Sequence, residues 1–345
     1  MPSSTRPGDE LAGRYRLVDL LHESRGGHFW RAHDRVLARH VAVHVISAED
    51  QRAAGLLKAA RRSATVTDRR LLRVLDAEER DGICYVVNEW GSGTSLDVLL
   101  TNDGPLAPRR AAWIVSEVGV AIATAHAAGA THGRLIPENV LIDHSGNVRV
   151  VGFAVDAALH GLPEGRQSAD VVDLAALVYA ALTGKWAGVS RSHLPPAPDD
   201  HGRVLRPRQV RAGVPRPLDA LCDQVINSQR HGNGNGGSHA RVDHDLTTAR
   251  GITEVLCDFV GDPSSLVVQE EARRHGPPPT HAAPAPDLTT PPPTEDHATA
   301  AIGQVAGPAP EPDASTPAQP DAQPDAADGD LETDAAAGAP EPSVG

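Results

Sequence analysis

The residues whose types and spacing could do chemistry are few and lie close together. HGRLIPENVLID gathers His132, Arg134 and Asn139 in one short stretch, and Gly152-Phe153-Ala154 follows nine residues after it ends. Asp170 stands near the start of SADVVDLAALVYAALTG, His44 ends the run VAVH, and His22, Ser24 and Gly27 surround a glycine turn near the N-terminus. The set falls short of what phosphate or metal chemistry asks for. Arg134 cannot act as a base, because a guanidinium does not give up its proton. The His44 imidazole is mostly uncharged at neutral pH. Asp143 lies on a hairpin and Asp156 four residues past Gly152, and both read as surface carboxylates. His231, His239 and His244 share a Gly/Asn-rich tract with no Cys and no helical i, i+4 spacing, which reads as a solvated loop and not as a metal site. Cys84, Cys222 and Cys257 give neither a disulfide framework nor a zinc spacing, and read as small buried hydrophobes.

The elements that must position these residues change character along the chain. RYRLVDLLHES, GGHFWRAHD and RHVAVHVIS read as a meander of short antiparallel strands, followed by a helix with Ala54 and Leu57 on its inner face. RRLLRVLDAEE and GICYVVNEW add two strands. From GSGTSLDVLL onward the texture is helical: SLDVLL reads as a capped helix start, and PRRAAWIVSEVGVAIATAHAAG as a long apolar-periodic helix ending at Gly129. NVLID and NVRVVGF pair across HSGN, and SADVVDLAALVYAALTG, apolar almost all round, reads as a buried helix stopped by Gly184. LDALCDQVI and TTARGITEVLCDFVG complete the helical part.

The last 84 residues differ. Residues 262–345 hold 17 of the 29 prolines, no Trp, Tyr or Phe, and 15 acidic against 2 basic side chains. Such a segment cannot bury enough apolar surface to offset its ordering entropy, so it is expected to be a disordered acidic tail. Residues 1–261 balance 30 basic with 30 acidic groups, and a neutral body with an acidic tail argues against nucleic-acid binding. No run approaches the roughly 20 apolar residues of a membrane helix, and MPSSTRPGDE lacks a secretory core. A soluble, cytoplasmic chain is expected, reaching a membrane only through partners.

HGRLIPENVLID, GFAV and SADVVDLAALVYAALTG, in that order and spacing, resemble the catalytic core of bacterial serine/threonine protein kinases over about residues 14–261. The resemblance implies an α+β, two-lobed protein-kinase-like fold: a leader at 1–13, a small β-rich N-lobe at 14–90, a helical C-lobe at 91–261, and the tail at 262–345. It also implies a set of departures. The phosphate loop G-x-G-x-x-G keeps only Gly27, with His22 and Ser24 at the other positions. His44 replaces the phosphate-binding lysine, and Ala59 the glutamate that would pair with it; the two lysines of the chain, Lys58 and Lys185, match neither role. Arg134 replaces the base aspartate, Ile136 the following lysine, and Gly152 the metal-binding aspartate of D-F-G. The segment after Phe153 is short and lacks A-P-E. His132, Asn139 and Asp170 are kept, Asp170 as a brace for the loop backbone. The hinge at Glu89 and Trp90 could still take adenine.

These departures carry the expectation of a pseudokinase and not an enzyme, with weak or no ATP binding and no magnesium site. The stretch from TGKWAG to LPPAPDDHGRVLRPRQVRAGVPRPLDALC resembles pseudokinase domains associated with the MviN-type lipid II flippase. The implied role is a regulatory scaffold, phosphorylated by an active serine/threonine kinase and then bound by a forkhead-associated domain. Thr299, after Glu295 and Asp296 and with Ile302 at plus three, is the candidate phosphosite. A nucleotide sensor without catalysis and an atypical active kinase are the alternatives.

Overall fold

A computed structural model describes residues 5–24, 27–231 and 244–275. The N-terminal part is one antiparallel sheet of six strands: β1 (Glu10–Leu11), β2 (Tyr15–Ser24), β3 (Gly27–Asp34), β4 (Arg39–Ser47), β5 (Val74–Arg80) and β6 (Ile83–Glu89). Their order across the sheet is β1-β2-β3-β4-β6-β5. Alternation along β4 sends Val41, Val43 and Val45 to one core, with Tyr15, Leu17, Trp30, Tyr85 and Val87. Ile46 joins Cys84 and Val86 on the other face, which α1 (Ala53–Ser63) covers with Ala53, Leu56 and Ala60. Of the expected inner residues, Leu57 is half-buried against this core, whereas Ala54 is exposed and Ala53 takes the inner place.

The rest is helical apart from short ribbons. After β7 (Thr94–Ser95) come α2 (Leu96–Asp103) and α3 (Pro108–Ala127), whose N1 proline suits a position with no hydrogen bond to lose. Ser95 holds the N-cap position of α2 without the expected side-chain cap. A 3-10 turn at Pro137–Asn139 leads into β8 (Val140–Ile142) and β9 (Val148–Val150), then α4 (Val155–Leu159) and α5 (Gln167–Thr183). Every side chain of α5 from Ala169 to Thr183 is buried, and Gly184 ends it in the left-handed conformation. A ribbon of β10 (Asp199–Asp200) and β11 (Arg203–Val204) precedes α6 (Pro207–Val210), α7 (Arg216–His231) and α8 (Ala249–Val260). Gly119 lets α3 and α8 meet, since a Cβ there would lie 2.3 Å from Thr253 Oγ1. A mixed α+β, kinase-like architecture follows from this division.

Three expectations need correction. Cys257 is exposed, while Cys84 and Cys222 are buried. His244 is no solvated loop residue: its ring meets Asp258 at 2.9 Å and Glu254 at 3.2 Å, and the bond to Asp258 raises its pKa. His239 and the His231 side chain lie outside the described residues. The chain also does not lose order at residue 262, because α9 (Ser264–His275) follows and docks through a buried Arg110–Glu270 pair at 2.7 Å. The stretch SSLVVQEEARRH holds no proline, unlike the rest of the tail. Residues 276–345, with Thr299, lie outside the described residues. Among the described residues no helix is long and apolar enough to cross a membrane.

Candidate active site

The loop from Thr131 to Asn139 is held by its backbone. Asp170, fully buried near the start of α5, accepts from the His132 amide at 2.8 Å and the Gly133 amide at 2.7 Å, and meets His126 Nε2 at 3.0 Å. His132 Nε2 lies 3.0 Å from the Val151 carbonyl, and its ring stands edge-on to Phe153 at 6.2 Å. These bonds tie the loop to the segment carrying Gly152. Ile136 is part of the hydrophobic core.

Asp156 stands at the centre of the site. It is not a surface carboxylate: α4 begins at Val155, and the Asp156 amide donates to the Gly152 carbonyl at 2.8 Å, turning the side chain back over Gly152. A Cβ on Gly152 would meet the Asp156 Cβ at 2.9 Å and Asn139 Nδ2 at 3.1 Å. The carboxylate thus occupies the space that a side chain at 152 would need. Arg134 Nη1 donates to Asp156 Oδ2 at 2.6 Å and Asn139 Nδ2 to the same oxygen at 3.3 Å, while His160 Nδ1 lies 3.2 Å from Oδ1. Burial alone would raise the Asp156 pKa, but the His160 hydrogen bond and the Arg134 charge hold it well below the usual carboxylate range. The bond to Asp156 raises the His160 pKa in turn. Sequence reasoning set Asp156 aside for its distance from Gly152. The available signal was a lost side chain followed one helical turn later by a new carboxylate.

Asn139 donates also to the Val151 carbonyl at 3.3 Å, and its Oδ1 is buried without a hydrogen-bond partner among the described residues. Asp143 closes the hairpin between β8 and β9, accepting from the Ser145 and Asn147 amides at 2.9 Å. None of the other predicted positions is hydrogen-bonded to this group among the described residues, although His44 lies near enough to feel the charges of Asp156 and His160. His44 stacks on Phe29 at 4.3 Å, and burial lowers its pKa to about 4, so it is neutral at pH 7. Ala59 lines a cavity of about 480 Å³ between α1 and residues 154–165, bounded also by Arg62, His132 and Gly133. Lys58 reaches across to Glu164 at 2.9 Å. His22 pairs with Phe29 in the β2–β3 register, and Ser24 with Gly27. At the end of β6, Glu89 accepts a forked pair from Arg73 at 2.9 and 2.6 Å, with Trp90 half-buried beside it.

Ala154, where glycine stands in D-F-G, has φ 62° and ψ −37°. An L residue with a Cβ is strained there, whereas glycine is not. Ala154→Gly is expected to stabilise the protein by about 0.5–1 kcal/mol, the relief of strain outweighing glycine's extra unfolded-state entropy. The corresponding rise in thermal midpoint is about 1–4 °C. A lower midpoint would mean that the chain carries no strain at this residue.

No protein-family model matches the chain. Among curated proteins it is 31% identical to serine/threonine-protein kinase PrkC of Bacillus subtilis over 156 residues, covering 44% of this chain and 24% of that protein. It is 29% identical to PknE of Mycobacterium tuberculosis over 251 residues, 64% of this chain and 43% of that one. With PknA of Mycobacterium tuberculosis it shares 30% identity over 239 residues, 57% of this chain and 56% of that one. The chain therefore spans between a quarter and a little over half of these relatives' lengths. Its fold matches a crystal structure of Rad53 1-466 in complex with AMP-PNP, with a TM-score of 0.51 at 17% identity, over 72% of this chain and 65% of that one. The expectation that the chain is not an enzyme is corrected by these relatives, which are serine/threonine-protein kinases by name, and by the kinase fold. The chain is kinase-like: its homologues are bacterial serine/threonine protein kinases, and its α+β fold is that of a protein kinase.

Proposed function

We propose that the chain is an atypical serine/threonine protein kinase whose phosphate-handling group has been rebuilt around Asp156. The observation that carries this reading is the Asp156 carboxylate seated over Gly152 beside Asn139, which returns an anionic oxygen to a place where the sequence has lost one. Phosphoryl transfer asks little covalent chemistry of a protein; positioning and charge neutralisation do most of the work. A carboxylate and a buried amide oxygen that lacks a partner among the described residues are hard donors of the kind magnesium or manganese takes, so Asp156 and Asn139 would hold the metal once the Asn139 amide turns, because its Nδ2 and not its Oδ1 faces Asp156 here. Bound there, the metal would neutralise phosphate charge. His160 and Arg134 keep the carboxylate ionised and placed, and Arg134, as a permanent cation, offers charge that the neutral His44 cannot. The backbone at Glu89 and Trp90 is the proposed seat of the adenine.

The test uses the full chain, labelled ATP and manganese, with phosphate incorporation into the protein as the readout. The wild type is expected to incorporate phosphate, and Asp156→Asn to lower the rate about a hundredfold, as removal of a charge-stabilising group does. A wild-type signal no greater than that of Asp156→Asn would overturn the reading. A regulatory role beside catalysis rests on the sequence of the tail: Thr299, with Glu295, Asp296 and Ile302 around it, suits phosphorylation by a second kinase and capture by a forkhead-associated domain. The resemblance to domains associated with the MviN-type flippase would place such a role in cell-wall regulation.

A further inference from the structure

Three side chains from three separate segments converge at the start of α2, outside the Arg134–Asp156 group. Asp97 lies in the first turn of α2, Glu138 in the 3-10 turn before Asn139, and His193 in the loop after α5. One ligand atom from each lies within 4.8 Å of the other two. Asp97 is only 8% exposed, and among the described residues its Oδ1 has no hydrogen-bond partner; Glu138 Oε2 is likewise a buried atom without a partner among them. The second Glu138 oxygen, Oε1, is fully used: it accepts from Ser192 Oγ at 2.8 Å and the His193 amide at 2.5 Å, with His193 Nδ1 at 3.4 Å. Among the described residues neither carboxylate is ion-paired to Arg or Lys.

The two carboxylates are neighbours whose like charges repel, and each keeps one buried oxygen that has lost water without gaining a partner among the described residues, a cost that a shared cation removes. Two negative charges and a neutral imidazole match one divalent ion. A nitrogen donor among oxygens favours a borderline ion of the zinc type over magnesium. We propose that Asp97, Glu138 and His193 form a three-ligand site for a zinc-class divalent cation, with water completing the shell on the exposed His193 side. The expectation of no metal site in the chain is revised by this proposal, which does not depend on the kinase reading. Such an ion would pin the turn that carries Asn139 to α2 and to the 184–198 loop.

The test is calorimetric titration of the chelator-stripped full chain with zinc, alongside His193→Ala and Asp97→Asn. One zinc ion is expected to bind through these residues, with affinity reduced at least tenfold in both variants. His193 is exposed, so its variant keeps the fold even if the buried Asp97 variant does not. At a hundredfold saturation the wild-type thermal midpoint is expected to rise by about 5–10 °C. Equal zinc affinity in wild type and His193→Ala would overturn the proposal, leaving binding to other histidines only. Stabilisation by arginine amide but not by zinc would also overturn it, assigning the acidic pair to a basic side chain.

Discussion

Asp156→Asn is expected to destabilise the folded protein by about 2–4 kcal/mol as well as to remove the activity proposed for it. The charge pair it breaks is poorly exposed, with 16% of the Arg134 side chain and 15% of the Asp156 side chain open to solvent. Removing one member of such a pair leaves the other with an uncompensated desolvation cost. The asparagine keeps the shape and can still accept from Arg134, so a loss of this size would be the charge and not the packing. The pH dependence supplies a second check. Asp156 has a folded pKa below its unfolded value, so its contribution is present above the unfolded pKa, near 3.8, and is lost as pH falls towards the folded one. Because His160 has a raised pKa and pairs best when protonated, wild type and variant should differ most between the unfolded pKa values of Asp156 and His160, keep the Arg134 share at neutral pH, and converge in strong acid. Urea unfolding of both at neutral and acidic pH measures this directly. A difference below about 0.5 kcal/mol at pH 7 would mean that Arg134 and Asp156 do not form the pair in solution.

This pair also marks where the sequence stops being informative. The two-part architecture was legible because period-two runs such as RHVAVHVIS and the fully apolar α5 each allow one placement. For Asp170 the kinase resemblance implied a brace, and its carboxylate accepts from the His132 and Gly133 amides. Asp156 was not legible, because its role depends on α4 starting one residue after Ala154 and folding the side chain back over Gly152, a local turn that residue spacing does not reveal. The Asp97, Glu138 and His193 group was invisible for a different reason: its members are 41 and 55 residues apart, and only the packing of three segments brings them together. On α1 the reading of Leu57 agrees with the packing, but Ala54 gives way to Ala53, since Ala and Leu recur so often in AAGLLKAARRS that neighbouring registers look alike.

The C-terminal boundary is the sharpest case, and it leads to the second large effect. Averaged over residues 262–345, composition describes a segment that cannot fold, yet α9 carries Glu270, 2% exposed, onto α3. There Arg110 Nε donates to Oε2 at 2.8 Å and Nη2 to Oε1 at 2.7 Å, a forked geometry that lysine could not supply. Arg110→Met is expected to destabilise the protein by about 3–5 kcal/mol, because it takes the Arg110 charge from a buried carboxylate. The double variant Arg110→Met, Glu270→Met should recover most of that loss, since two apolar side chains of similar volume carry no desolvation cost. Chemical unfolding of the full chain, followed as a double-mutant cycle, separates the two contributions. If Arg110→Met cost less than about 1 kcal/mol, α9 would detach at little expense and the folded body would end near Gly261. The expected large loss, repaired by the second substitution, would instead make α9 an integral helix of the kinase-like fold.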